Sequence, residues 1–282
     1  MRQWLTGEDL VNWLVMLRTS DSRTYLVLEG PTDCQALDPH IAADAALSFP
    51  AHSKSVATRA IEIVDQRGLK RILAILDRDW VDMLTPAIAS NNVVYTDMHD
   101  LDATIAFAGA VLDRVIVAHS NRDARVAHLQ STGRGATELV AFIACTVGVL
   151  RLVSERDRLG ISCRDFPVQE TLSAAHDGVD LHRLAVVAVG RSEHTIVSET
   201  DLVARIEAEL PGVLEPRRIC DGHDVAMTVS TLVRYWGGTG SRTVIEQAMR
   251  SALSCAELQL TSLFDDVTAW SQRAGATVWS CA

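Results

Sequence analysis

The sequence contains few lysines and has no excess of positive charge. Lysine occurs only at positions 54 and 70, and the 26 basic residues face 36 acidic ones, for a formal net charge of −10. A strongly basic surface for nonspecific nucleic-acid binding is therefore excluded, and any phosphate site must be local. Charged residues make up 22% of the 282 residues and hydrophobic residues 48%. This composition excludes a disordered chain, and the hydrophobic residues are numerous enough to fill a large core.

The sequence also lacks a long hydrophobic run and any closely spaced cysteine pair. The longest uncharged apolar run, Leu139 to Leu150, has 12 residues, short of the roughly 20 needed to span a bilayer, and predicts a buried helix. The cysteines follow no recognisable signal peptide and form no C-x-x-C motif. They stand at Cys34, Cys145, Cys163, Cys220, Cys255 and Cys281. We therefore expect a reduced, cytoplasmic chain without a membrane segment, and no structural zinc site.

Strand-like and helix-like segments alternate in the first hundred residues. Predicted strands lie at 25–28, 45–49, 71–76 and 92–96, and predicted helices at 32–38 and 55–66. Because strands joined by helices favour parallel pairing, we expect an α/β fold with a parallel sheet and flanking helices.

The rest of the sequence is mainly helical in pattern. Apolar periodicity predicts helices at 102–117, 136–153, 179–189, 199–209, 223–236 and 243–271. Loops are predicted at 120–135, 160–167 and 236–242. The expected organisation is an N-terminal helix (1–19), an α/β domain (20–105) and a helical C-terminal region (106–282).

Acidic residues follow the first and third predicted strands. Glu29 and Asp33 follow the first, and Asp77 and Asp79 follow the third. The carboxyl ends of parallel strands meet at one edge, so Glu29, Asp77 and Asp79 should converge there. Asp77 and Asp79 would point the same way if the strand continued that far. Clustered carboxylates repel one another unless a cation lies among them, and oxygen ligands suit Mg²⁺ or Mn²⁺.

A second interpretation of the same acids is purely structural. Glu29 and Asp33 could interact with the dipole of the following helix, and residues 77–79 could be a solvated loop. Gly30 permits a tight turn, and the amide groups that open the next helix could bind an anion beside the acids. A metal and a phosphate would then share one pocket.

Two segments resemble the motifs of the TOPRIM (topoisomerase-primase) fold. Residues 25–33, YLVLEGPTD, resemble its first motif, and residues 72–79, ILAILDRD, resemble its Asp-x-Asp motif. The resemblance implies that Glu29 is a general acid or base and that Asp77 and Asp79 bind divalent metal. Lys54 stands where relatives often have Gly-Lys, although Ser53 replaces the glycine, and it could neutralise a scissile phosphate.

A longer resemblance is to an uncharacterised TOPRIM-related branch of bacteria. That branch is similar to overcoming-lysogenization-defect (OLD) nucleases and includes the effector nuclease of PARIS-type anti-phage systems. The matching features are Asp77-Arg78-Asp79-Trp80, Gly222-His223-Asp224 at a helix start, and the tryptophan-containing segment 260–270. Asp221 or Asp224 could instead be a helix cap.

The resemblance fails after the fourth strand, where relatives tend to have a glutamate. Here Asp97, Asp100 and Asp102 all follow the strand, and the third metal ligand stays open among them. His99 could carry a proton or be an ordinary surface histidine. The expected metal ligands are Glu29, Asp77, Asp79, Asp33 and Asp100, and the expected catalytic residues are Glu29, Asp77, Asp79 and Lys54.

These features predict a Mg²⁺- or Mn²⁺-dependent nuclease that cuts DNA or RNA in bacterial anti-phage defence. The expected partners are the nucleic acid, further copies of the chain and an ATPase protein. Two alternatives remain. A haloacid-dehalogenase-like phosphatase would use Asp77 as its nucleophile, with Val81 fitting its pattern, but would leave Glu29 without a role. A catalytically silent interaction module would keep the sheet without needing metal.

Overall fold

The computed structural model of the chain describes residues 6–192 and 197–281, so residues 1–5 of the predicted N-terminal segment lie outside it. The chain divides into two compact units. Unit 1 contains Met1–Leu101 and Leu253–Ala282, and unit 2 contains Asp102–Ala252.

Unit 1 is an α/β structure built on a four-stranded parallel sheet. Its elements are α1 (Gly7–Leu17), β1 (Thr24–Leu28), α2 (Pro31–Leu37), β2 (Ala46–Pro50), α3 (Lys54–Arg67), β3 (Ile72–Leu76), β4 (Val93–Tyr95), α12 (Cys255–Leu258) and α13 (Ser262–Ala274). The strand order is β2-β1-β3-β4, and all three pairings are parallel. The predicted parallel α/β fold is therefore confirmed, as are its four strands to within two residues.

The central strands of unit 1 are apolar because they are enclosed. β1 and β3 are buried along their whole length, as is typical of parallel strands. Helices α1 and α3 contribute to the same core, through Leu10 and Leu14 of α1 and Ile61 and Val64 of α3. The start of α3 is fixed by Ser53, whose hydroxyl accepts a hydrogen bond from the backbone N–H of Val56 at 3.3 Å. That cap places Lys54 at the first position of the helix.

The C-terminal segment belongs to unit 1, which differs from the predicted division at residue 105. Asp97 accepts hydrogen bonds from the first two backbone N–H groups of α13, those of Ser262 at 2.8 Å and Leu263 at 2.7 Å. The Trp270 indole donates to Asn92 Oδ1 at 3.1 Å. Such contacts join residues about 170 positions apart, a distance over which periodicity carries no information.

Unit 2 is helical. Its helices are α4 (Leu101–Phe107), α5 (Val111–His119), α6 (Arg122–Thr132), α7 (Ala136–Arg156), α8 (Leu181–Val189), α9 (Glu199–Glu209), α10 (Gly222–Tyr235) and α11 (Arg242–Ala252). Leu101, the first residue of α4, is the last residue of the first segment of unit 1. Among the described residues, α7 alone is long and apolar enough to cross a membrane. However, 72% of its most apolar window is buried inside the structure, as in a core helix.

Three predicted boundaries are wrong. The predicted loop at 120–135 contains α6, a polar helix with no buried residue, which therefore has no apolar period to detect. The predicted helix 102–117 is broken near Gly109, whose φ is +49°. The predicted helix 243–271 is three helices, since Ser254 and Thr261 each begin a new one.

Candidate metal centre

Glu29 and Asp77 meet where two neighbouring strands end. β1 and β3 pair with Leu28 opposite Ile75, so the residues after each strand lie at the same edge of the sheet. A carboxylate oxygen of Glu29 accepts a hydrogen bond from the backbone N–H of Asp77 at 3.0 Å. The structure therefore brings together two acidic residues separated by 48 positions in the sequence.

The Asp77 carboxyl group is held in a crowded, acidic environment. Its Oδ1 accepts a hydrogen bond from the backbone N–H of Leu101 at 3.0 Å. Burial raises the pKa of Asp77 well above its ordinary value, and the negative charges of Glu29 and then Asp100 raise it further. A free ionised carboxylate is thus unfavourable at this position unless positive charge is supplied.

Glu29 titrates near neutral pH. Burial raises its pKa to about 7, and the nearby charges of Asp79 and Asp33 also raise it. The positive charge of Lys54 and the hydrogen bond from Asp77 act in the opposite direction. At neutral pH this carboxyl group is therefore close to half protonated, which suits a group that both accepts and donates protons.

Asp79 is held by Lys54 and by the backbone. The Lys54 ammonium lies 2.6 Å from Asp79 Oδ2 and donates a second hydrogen bond, at 2.5 Å, to the backbone carbonyl of Asp77. The backbone N–H of Asp79 donates to the carbonyl of His99 at 2.7 Å, and the His99 Nε2 lies 3.8 Å from Asp79 Oδ1. Lys54 and Asp79 therefore belong to the same cluster as Asp77.

Strand β3 does not continue as far as Asp79, so the condition for Asp77 and Asp79 to point the same way is not met. The strand ends at Leu76, and Asp79 has the left-handed φ of +43°. Alternation along a strand therefore cannot set the relative directions of Asp77 and Asp79. A left-handed conformation in an aspartate is uncommon and costs about 1 kcal/mol or more, so it is maintained by contacts around it, here those with Lys54 and His99.

Asp33 serves the start of α2 while contributing charge to the cluster. Its Oδ2 accepts a hydrogen bond from the backbone N–H of Gly30 at 2.7 Å, as in a capping box. Its negative charge raises the pKa of both Glu29 and Asp77. Asp33 therefore acts at the start of α2, in agreement with the structural interpretation, and also adds negative charge near Glu29 and Asp77.

The three aspartates after β4 have different surroundings. Asp97 accepts hydrogen bonds from the first two backbone N–H groups of α13, as described above. In unit 2, Asp102 forms a two-point ion pair with Arg250, with distances of 2.7 and 2.5 Å. The charge of Asp100 acts on Asp77. Of the three, Asp100 is therefore the one that electrostatics connect to the acidic cluster.

Sequence reasoning missed the backbone groups and the aromatic contact that shape the cluster. The amide groups of Asp77 and Leu101 orient the two acids, but every residue type except proline carries such a group, so no sequence signal could reveal them. The Trp80 ring lies against the His99 ring, with centroids 4.6 Å apart. His99 is 7% exposed, which is too little for an ordinary surface histidine.

The Gly222-His223-Asp224 motif lies in unit 2 at the start of α10. Asp221 is the helix cap, accepting hydrogen bonds from the backbone N–H groups of His223 at 2.9 Å and Asp224 at 3.2 Å. Asp224 is 1% exposed and pairs with Arg151 through bonds of 2.7 and 3.0 Å. The capping role predicted for Asp221 is confirmed.

The prediction that all cysteines are reduced is wrong for one pair. Cys255 and Cys281 form a disulfide, although 26 positions separate them. His40 Nδ1 lies 3.9 Å from the Cys255 sulfur and 3.7 Å from the Cys281 sulfur. The fold brings these three residues together from distant segments, which no cysteine spacing could indicate.

The chain matches no protein-family model and no curated protein sequence. Its interpretation therefore rests on the cluster itself. Carboxylate oxygens are hard donors. Burial, and to a smaller extent repulsion between the acids, raises the pKa of Glu29 and Asp77, and a bound divalent cation would favour their ionised forms. The donor set fits Mg²⁺ or Mn²⁺.

Proposed function

We propose that the chain is a Mg²⁺- or Mn²⁺-dependent nuclease that hydrolyses phosphodiester bonds of DNA or RNA. The observation that carries this proposal is the contact between Glu29, whose pKa is about 7, and Asp77 at the edge of a parallel sheet. A carboxyl group that titrates near neutral pH beside a set of hard oxygen ligands has the two elements that metal-assisted hydrolysis of a phosphodiester requires.

Asp77, Asp79 and Asp100 would hold the metal, with Glu29 and Asp33 contributing further negative charge. A bound divalent ion supplies charge stabilisation on the phosphate and lowers the pKa of water. The amide groups of Asp77 and Leu101 keep the acids in place through their 3.0 Å hydrogen bonds. These two hydrogen bonds fix the carboxyl groups of Glu29 and Asp77 at the edge of the sheet.

Glu29 moves the proton in this proposal. Its neutral form can donate a proton to the leaving oxygen, and its ionised form can accept one from water. Lys54 has a different role, since its ammonium group can pair with a non-bridging oxygen of the substrate phosphate. Without substrate the same ammonium is paired with Asp79, which keeps this positive charge at the site.

The TOPRIM-like and OLD-like resemblance is the ground for the biological part of the proposal. It suggests a bacterial anti-phage effector in the cytoplasm, acting as a homo-oligomer together with an ATPase protein. The net charge of −10 agrees with a nuclease that is guided to its substrate rather than one that binds nucleic acid indiscriminately.

The phosphatase alternative accounts for less of the cluster. In that scheme Asp77 attacks phosphorus, and Glu29 has no assigned task. The nuclease proposal uses both acids.

The direct test incubates the purified full chain with mixed linear DNA and RNA in the presence of Mg²⁺ or Mn²⁺. Metal-dependent shortening of either nucleic acid that is blocked by a chelator is the expected result. Asp77→Asn should abolish it, whereas the matched variant Asp65→Asn, on the exposed side of α3, should not. Cleavage that persists in Asp77→Asn would point to a contaminating nuclease and count against the proposal.

A further inference from the structure

A second group of ligand atoms lies in unit 1, apart from the acids. His40, Cys255 and Cys281 offer one nitrogen and two sulfurs, all within 4.8 Å of one another. The sequence separation of His40 from the two cysteines is 215 and 241 residues. Two thiols and an imidazole form a soft donor set, unlike the hard carboxylates around Asp77.

The backbone holds these three residues firmly in place. The carbonyl of His40 accepts a hydrogen bond from the backbone N–H of Ser280 at 2.8 Å, next to Cys281. The carbonyl of Cys281 accepts one from the Gln259 side chain at 2.5 Å. Ile41 and Trp279 form an antiparallel bridge. The disulfide is therefore not the sole connection that brings the ligands together.

The placement of His40 suits a tetrahedral metal. With Zn–S near 2.3 Å and Zn–N near 2.0 to 2.1 Å, ligand nitrogen and sulfur lie about 3.5 Å apart. The two observed separations are 3.7 and 3.9 Å. His40 is 6% exposed, so its ring is already inside the structure and is aimed at both sulfurs.

We propose that His40, Cys255 and Cys281 bind Zn²⁺ when the cysteines are reduced, and that the disulfide is the metal-free oxidised form. A dithiol reductant breaks the sulfur–sulfur bond: its two thiols are oxidised to a disulfide, and two electrons and two protons pass to Cys255 and Cys281. Zn²⁺ then replaces the two thiol protons, which are released to solvent. Because Cys255 is partly exposed, solvent can fill the fourth position. This site does not depend on the proposed nuclease function.

The test uses Co²⁺ as a spectroscopic probe, followed by Zn²⁺. Full-length protein is reduced with a phosphine, freed of reductant without oxygen, and titrated with Co²⁺. A thiolate-to-cobalt charge-transfer band that saturates at one equivalent and disappears on adding Zn²⁺ is expected. The oxidised protein should show no band. Absence of the band in the reduced protein would overturn the proposal.

Variants separate this site from the acidic cluster and from the other cysteines. Cys281→Ser and His40→Ala should each weaken Zn²⁺ binding roughly 100-fold or more, with folding checked by circular dichroism. Cys145→Ser, at a buried cysteine of α7 outside the disulfide, and Asp77→Asn should leave the band unchanged. A band that survives in Cys281→Ser would assign the thiolate ligand to another cysteine and refute the proposal.

Discussion

The backbone N–H of Asp77 donates a 3.0 Å hydrogen bond to the carboxylate of Glu29. The bond ties the ends of two adjacent parallel strands, and it holds a carboxyl group with a pKa of about 7 beside one whose pKa is also raised. The same contact links the fold to the proposed chemistry.

Stability without metal should fall as the pH rises through Glu29's titration. The pKa of Glu29 is raised from 4.5 to about 7, so between these values the folded chain keeps a proton that the unfolded chain has lost. Glu29→Gln cannot ionise and should be more stable than the wild type at pH 8, by roughly 1 to 3 kcal/mol. At pH 4 the two should be similar.

Chemical unfolding in a chelator at several pH values measures this difference. Glu62→Gln is the matched control, since Glu62 lies on the surface of α3 and pairs with Arg59 at 3.0 Å. It should change stability by at most a few tenths of a kcal/mol. Equal pH dependence in wild type and Glu29→Gln would show that Glu29 is not the titrating group.

Divalent metal should stabilise the wild type and not Asp77→Asn. Binding to the folded chain alone adds about 1.4 kcal/mol when the free metal is ten times its dissociation constant. Asp77→Asn should remain folded, because Asn can still accept the hydrogen bond from Leu101, and should lose the response. Thermal melts with and without millimolar Mg²⁺ or Mn²⁺ give the readout, and a wild type indifferent to both metals would favour the silent interaction module.

Substitutions of Asp97 and Asp100, which both follow β4, should have different effects on stability and on metal binding. Asp97→Ala leaves two backbone N–H groups at the start of α13 without their acceptor and should destabilise the chain by about 1 to 2 kcal/mol, while keeping the metal-induced rise in melting temperature. Asp100→Ala should instead lose most of that rise. Thermal melts with and without Mg²⁺ or Mn²⁺ measure both effects. A normal rise in melting temperature with metal in Asp100→Ala would show that Asp100 is not a metal ligand.

Lys54 should matter to cleavage in a way that Lys70 does not. Lys54→Gln removes the 2.6 Å ion pair with Asp79 and a positive charge that lowers the pKa of Glu29. Cleavage should fall by roughly 10²-fold, and its pH dependence should move to higher pH. Lys70→Gln changes the other lysine, which is exposed. It should leave both the cleavage rate and its pH dependence unchanged. An unshifted pH profile in Lys54→Gln would contradict the assigned coupling.

The sequence predicts most of unit 1 because its strands carry a strong local signal. β1 and β3 are short apolar runs that end in acids, and parallel pairing places Glu29 beside Asp77. The left-handed turn at Asp79 is set by contacts with Lys54 and His99, which lie far away in sequence. Helix α6 was not predicted because it has no buried face and therefore no apolar periodicity. The Cys255–Cys281 pair depends on the tertiary path of the C-terminal segment.

The nuclease and phosphatase interpretations assign different roles to Glu29 and Asp77. On a small phosphomonoester, a phosphatase would depend on Asp77 and be indifferent to Glu29→Gln. On nucleic acid, the nuclease proposed here requires both. Each variant should therefore be assayed on both substrates with Mg²⁺, after circular dichroism has shown that it is folded.

The most direct measurement of the role of Glu29 is the rate at which Glu29→Gln cleaves nucleic acid. Glutamine keeps the size of the side chain and can still accept the hydrogen bond from Asp77, but it cannot exchange a proton. We expect its rate to be lower than that of the wild type by roughly 10²-fold or more at neutral pH with saturating Mg²⁺. Undiminished cleavage by the folded variant would contradict the role given to Glu29 and the mechanism built on it.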